Sequence, residues 1–199
     1  MMKHLVAVLI ALLVILSTRL SVYGLLQIMV LDLFLMIFLP LIFLSLKKEK
    51  VKNIGVQCGN LKLGLKYSFV LILFAIPIML YGATLSDFRH YYPIWEPARY
   101  SWHDFFIFES AVFVLMFCTE FFYRGFLLFS LTEKTRYGNL IHSLLYAVAH
   151  LGKPTLEVPY SFFVGYIFGE VDLKCRSILP SFLMHFISSV LFDLFIILL

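Results

Sequence analysis

Apolar runs of membrane-spanning length, separated by short polar joints, set the pattern of this 199-residue chain. The runs lack the period-two alternation of barrel strands, so the pattern predicts helices. The first runs from about His4 to Tyr23 with Arg19 near its end, and Gly24 breaks it. The second covers Leu25 to Leu46, with Asp32 inside and Pro40 as a candidate kink. So short a link leaves either an antiparallel hairpin or one long bent helix. A third run spans Tyr67 to Tyr81 and a fourth Asp104 to Phe129. The fifth, Tyr137 to His150, is about 14 residues or roughly 20 Å, too short to cross a ~30 Å hydrocarbon core alone. It stops at Leu151-Gly152-Lys153-Pro154. A sixth, Tyr160 to Val171, is also short, and the seventh runs from Ile178 to Leu198. The expected fold is all-α, a polytopic transmembrane helical bundle with about seven membrane segments. Helices five and six could also form an interrupted, partly re-entrant pair.

Three parts follow from this pattern: an N-terminal hairpin over residues 1–46, a lysine-rich loop over 47–66, and a membrane core over 67–199. Within the loop, residues 61 to 66 could begin an amphipathic stretch at the interface. The loop concentrates Lys47, Lys48, Lys50, Lys52, Lys62 and Lys66 against one acid, Glu49. The positive-inside rule therefore makes it cytoplasmic, puts the N-terminus with Lys3 on the same side, and leaves residues 82–103 and 152–157 outside. Thr132 to Arg136 and the turn with Asp172, Lys174 and Arg176 fall inside. The loop also attracts anionic lipid. Residues 82–103 carry Tyr91, Tyr92, Trp95, Tyr100 and Trp102, a density that suits the headgroup zone.

Composition agrees. Hydrophobic residues make up 62% and charged residues only 14%, against about a quarter in soluble domains. The formal charge of +4 sits on no solvated face, and no basic groove accompanies the aromatics, so nucleic-acid binding is excluded. The three cysteines, Cys58, Cys118 and Cys175, are scattered without a CxxC and suggest neither a disulfide framework nor a thiolate metal site. No small-x-small cleavage site stands before Arg19, so the first helix reads as retained rather than as a signal peptide.

Against this background a few polar positions stand out. Glu120 and Arg124 lie one turn apart on one helix face. A charge within the bilayer persists where it pairs, faces a protein interior, or works. His150 ends an apolar helix at a backbone opening, and Glu157, seven residues on, is placed to reach back toward it. His185, Ser189 and Asp193, spaced four and four, share one face of the last helix. His185 could donate to a developing oxyanion, with Ser189 or Asp193 orienting its other nitrogen. His150, His185 and a carboxylate such as Glu120 have the donor chemistry for zinc, and the same residues can work without it. HExxH and GxSxG are both absent. Gly165-x-x-x-Gly169 most simply allows close helix packing.

These residues resemble the CAAX protease and bacteriocin-processing family of intramembrane proteases, which includes the type II prenyl-protein endopeptidases. Its motifs are Glu-Glu-x-x-x-Arg, then Phe-x-x-x-His, then His-x-x-x-Asn/Asp. Here they read Thr119-Glu120-Phe121-Phe122-Tyr123-Arg124, Tyr146-Ala147-Val148-Ala149-His150 and His185-Phe186-Ile187-Ser188-Ser189, all within residues 104–196. Thr119, Tyr146 and Ser189 depart from the pattern, and Asp193 stands one turn beyond Ser189 as a substitute acid. The resemblance implies a multi-pass cell-membrane hydrolase that cleaves membrane-tethered or lipidated polypeptides, with or without zinc. Glu120 and His150 would activate water, His185 would stabilise the oxyanion, and Arg124 and Asp193 would hold the charged network. The departures keep open a second reading: a non-catalytic scaffold or regulatory protein on the same fold.

Overall fold

The computed structural model describes residues 3–20 and 24–199. The expected end of the first helix at Tyr23 lies outside the described residues, as do Met1 and Met2. Among the described residues the main helical segments are α1 (Lys3–Leu20), α2 (Leu25–Leu46), α3 (Leu61–Thr84), the short α4 (Ser86–Tyr91), α5 (Trp102–Thr132), α6 (Gly138–Ala149), α7 (Glu157–Cys175) and α8 (Leu179–Leu198), with single 3-10 turns at Val51–Ile54 and Glu96–Arg99. Four of them, α2, α3, α5 and α8, are long and apolar enough to cross a membrane, while α1 and α6 are shorter apolar helices. The chain is thus a polytopic helical membrane protein, with four clear spans where the sequence pattern suggests seven.

Several boundaries differ from the sequence reading. Leu61 to Lys66 is not a separate interfacial stretch but the first turns of α3. The Asn60 side chain caps this helix by accepting from Leu63 N at 3.1 Å. Its 24 residues span about 36 Å, and Lys62 and Lys66 stay exposed on its first turns. Pro77 is accommodated inside α3. Instead of a short sixth helix, α7 has 19 residues and ends where Arg176 takes a left-handed conformation (φ 54°). Asp172 therefore sits within α7, fully buried, and accepts from Ser181 N at 3.2 Å in the first turn of α8. The turn expected at Asp172 begins only after Cys175.

Two helices are interrupted by π-helical stretches, Leu33–Phe38 in α2 and Phe121–Leu127 in α5, and the two stretches touch. Around them lies the main core: Ala7, Ile10 and Val14 of α1 meet Met36, Phe122, Phe126 and Tyr146. Lipid tails are as apolar as these side chains, so burial alone does not drive the helices together; close packing and interhelical polar bonds must. Gly165 and Gly169 show the first of these. A Cβ at Gly165 would come within 3.2 Å of the Tyr146 ring, and one at Gly169 would run into Asn139. The glycine pair is what lets α7 lie flush against α6.

The polar joints gather at two ends. Lys3 pairs with Glu49 (2.7 Å) and Glu133 (3.3 Å), and Asn60 N donates to Cys175 O at 2.9 Å. Thus the N-terminal turn, the lysine-rich loop, the α5–α6 turn and the α7–α8 turn share one end. At the other end the 85–101 segment meets the α6–α7 connection, where Tyr92 bonds Glu157.

Candidate active site

Glu120 ends the α-helical part of α5, just before the π stretch, and is 0% exposed. One carboxylate oxygen, Oε1, lies 2.6 Å from His185 Nδ1 on α8. A carboxylate only accepts, so the imidazole Nδ1–H donates. Oε2 lies 3.4 Å from Arg124 Nε, within the same helix. Arg124 is also 0% exposed. Its guanidinium carries donors only, so His142 Nε2, at 2.6 Å from an Arg124 terminal nitrogen, must accept and be neutral. The proton on His142 then sits on Nδ1, 3.3 Å from Asn139 Oδ1. Asn139 in turn donates to Glu170 at 2.8 Å. The buried cation is therefore held from two sides, and its carbon lies 4.2 Å over the Tyr146 ring.

Tyr146 links this network to the remaining histidine. Its ring centroid is 4.5 Å from that of His150 and 6.4 Å from that of His185. His142, Tyr146 and His150 follow one another at four-residue spacing, which lines them on the face of α6 turned to the core. His150 caps α6, and its Nδ1 donates to Tyr146 O at 2.8 Å. In the neutral ring this leaves Nε2 as the free acceptor. Nε2 faces Glu157 Oε1 at 3.9 Å, as the sequence spacing suggested. The turn that brings them together uses Gly152 at φ 93°, a conformation suited to glycine. Glu157 also takes a 2.9 Å bond from Lys153 and bonds of 2.8 and 2.9 Å from the Tyr92 hydroxyl. Burial, and then the Glu157 carboxylate beside it, push the Tyr92 phenol well above its ordinary range, so it remains a donor.

The structure thus brings Glu120, Arg124 and His185 into contact and sets His150 beside them across Tyr146. It does not gather every candidate. The Thr119 hydroxyl is bonded back to Leu115 O at 2.9 Å, within its own helix. Ser189 is half-buried one turn beyond His185, and among the described residues no hydrogen bond joins it to His185 or Glu120. Asp193, two turns beyond His185 and 2% exposed, interacts with Glu109 of α5 rather than with His185. Glu109 is buried too, and neither of its oxygens has a hydrogen-bond partner among the described residues. Nor do Glu120, His150 and His185 form a ligand set. Glu120 and His185 bind each other, and His150 turns its free nitrogen toward Glu157. Among the described residues no three His, Cys, Asp or Glu side chains are grouped to hold a metal ion. The zinc donor set raised by the sequence does not fit this arrangement.

Sequence reasoning missed His142 and Glu109. The readable signal was spacing: His142 stands one turn before Tyr146, and Glu109 stands three turns before Glu120 on the same helix face.

Residues 101–191 match a family model. It describes type II CAAX prenyl endopeptidases, Rce1-like. The match covers just under half of the chain and includes Glu120, Arg124, His150, Glu157, His185 and Ser189, while Asp193 lies beyond it. This central portion is CAAX-protease-like. Neither the curated proteins nor the solved structures contain a match to the chain.

Proposed function

We propose that this protein is an intramembrane endopeptidase that hydrolyses a peptide bond in a membrane-associated or lipidated polypeptide. The observation that carries the reading is the 2.6 Å contact between Glu120 and His185, two motif positions 65 residues apart in the chain. Both histidines of the motifs are held through Nδ1, His185 by Glu120 and His150 by a backbone carbonyl, so each presents Nε2. In the proposed reaction His150 Nε2 takes a proton from water as the water oxygen attacks the peptide carbonyl. His185, as an imidazolium, keeps its Nδ1–H on Glu120 and offers Nε2–H to the oxyanion. Arg124 fixes Glu120 and so the orientation of His185. The lysine-rich loop faces the cytoplasm, with the N-terminus beside it. His150 and the α6–α7 connection then lie toward the opposite face.

The complete burial of Glu120 and Arg124 favours a second reading, in which the network is purely structural and the protein holds a peptide without cutting it. Proteoliposomes containing the full chain, supplied with a library of membrane-tethered and prenylated peptides, separate the two. Cleavage by wild type that is lost in both Glu120→Gln and His185→Ala, with helicity intact, is expected for the enzyme. A wild type that binds peptides but cleaves none of them rejects it.

A further inference from the structure

The Glu120 network is closed on itself. Its carboxylate is inaccessible: Oε1 is bonded by His185, and Oε2 faces Arg124 Nε at 3.4 Å without a hydrogen bond among the described residues. With no exposed surface, the group is shielded from solvent. The second carboxylate near a motif histidine differs in access, although its oxygens also accept bonds from Lys153 and Tyr92. Side-chain exposure is 11% for His150 and 14% for Glu157, and the gap between Nε2 and Oε1 is 3.9 Å. That gap is too long for a direct hydrogen bond and suits one water touching both groups. The Tyr92 hydroxyl has one proton and lies nearer Oε2 (2.8 Å) than Oε1 (2.9 Å), which leaves Oε1 an acceptor site beside its Lys153 bond. Glu157 is fixed from two sides by Lys153 and Tyr92, and it stands in the first turn of α7.

Building on the hydrolase reading above, we infer that Glu157, not Glu120, is the carboxylate that acts with His150, and that the hydrolytic water is held between His150 Nε2 and Glu157 Oε1. The water donates one proton to each as it approaches the carbonyl carbon. As the new C–O bond forms, the proton facing Nε2 moves to His150 and the carbonyl π pair moves onto oxygen. Glu157 then faces the imidazolium and stabilises it. Collapse of the tetrahedral species re-forms the carbonyl and breaks the C–N bond, and His150 returns its proton to the leaving amine. Glu157 supplies orientation and negative charge. Lys153 and Tyr92 already donate to its oxygens, and proton transfer falls to the imidazole. The reacting bond is thereby placed at the end of the bundle opposite the lysine-rich loop, under the 85–101 segment.

The test measures kcat and KM separately in proteoliposomes of the full chain, with the tethered-peptide substrate that wild type cleaves best. Glu157→Gln is expected to lower kcat by about 100-fold or more, with KM changed less than about threefold and the unfolding midpoint unchanged. Wild-type cleavage together with a Glu157→Gln rate within threefold of it overturns the inference and leaves the hydrolase reading standing. A wild type that cleaves no peptide overturns both. Should Glu157→Gln fail to fold, Glu157→Asp carries the test. Retracting the acid by one methylene should lower kcat about tenfold or more, and a wild-type kcat in that variant rejects the assignment.

Discussion

Two charged clusters a few residues apart in space are built on opposite principles. The Glu120–Arg124–His142 network is sealed in the helix interior, and every member except His185 is fully buried. The His150–Glu157–Lys153–Tyr92 cluster sits where α6 ends and α7 begins, and each of its charged groups keeps some access. A sealed charge must be matched by an opposite one at every moment, because its uncompensated form has nowhere to go. Such a network is suited to hold geometry. A partly accessible cluster at helix termini can admit water, take up a proton and release it, so it is suited to react. The Tyr146 ring lies between the two clusters, 4.5 Å from the His150 ring and 6.4 Å from the His185 ring, centroid to centroid.

The largest expected effect comes from breaking the sealed side. Arg124→Met leaves Glu120 and His142 without their common partner and should cost about 3–5 kcal/mol of stability, read as a fall in the unfolding midpoint in detergent or nanodiscs. A loss under about 1 kcal/mol would mean the cluster is not closed. Next, Gly169→Val forces a side chain into Asn139 and pries α7 from α6; a loss of about 1–3 kcal/mol is expected. Peptide cleavage should fall with it, since His150 rides on α6. On the open side, Glu157→Gln should change stability by less than about 1 kcal/mol, because partly exposed ion pairs contribute little. Its signature is loss of turnover in a folded protein. The smallest effect is expected at Lys3→Ala, which removes the pairs to Glu49 and Glu133 at the far end. A loss of roughly 0–1 kcal/mol with normal cleavage would mark that end as peripheral.

Much of this site could be read from local spacing. Glu120 and Arg124 are one turn apart, and the turn after His150 is short enough for Glu157 to fold back, so both pairings follow from chain geometry alone. The Glu120–His185 contact joins α5 to α8 and has no local signature; only the motif order hinted at it. His142 was overlooked because a histidine between Ile141 and Ser143 looks like ordinary core until its partner is known. Asp172 looked like an interfacial residue because Lys174 and Arg176 follow it, yet its carboxylate turns inward to the first turn of α8. Helix identity was legible from apolar runs, whereas the start of α3 was masked by Lys62 and Lys66, whose long stems let their charges reach water from a helical position.

The π stretch behind Glu120 has a consequence for how this segment tolerates length changes. A π turn carries one residue more than the α turn it replaces. Deleting a single residue between 125 and 127 would let the coil tighten into regular winding while the turns on either side keep nearly the facing they have now. The same deletion in the plain α-helical part of α5 would swivel one side by about 100° relative to the other. The wide turn thus works as slack in the helix: a residue can be shed there and Glu120 still meets His185.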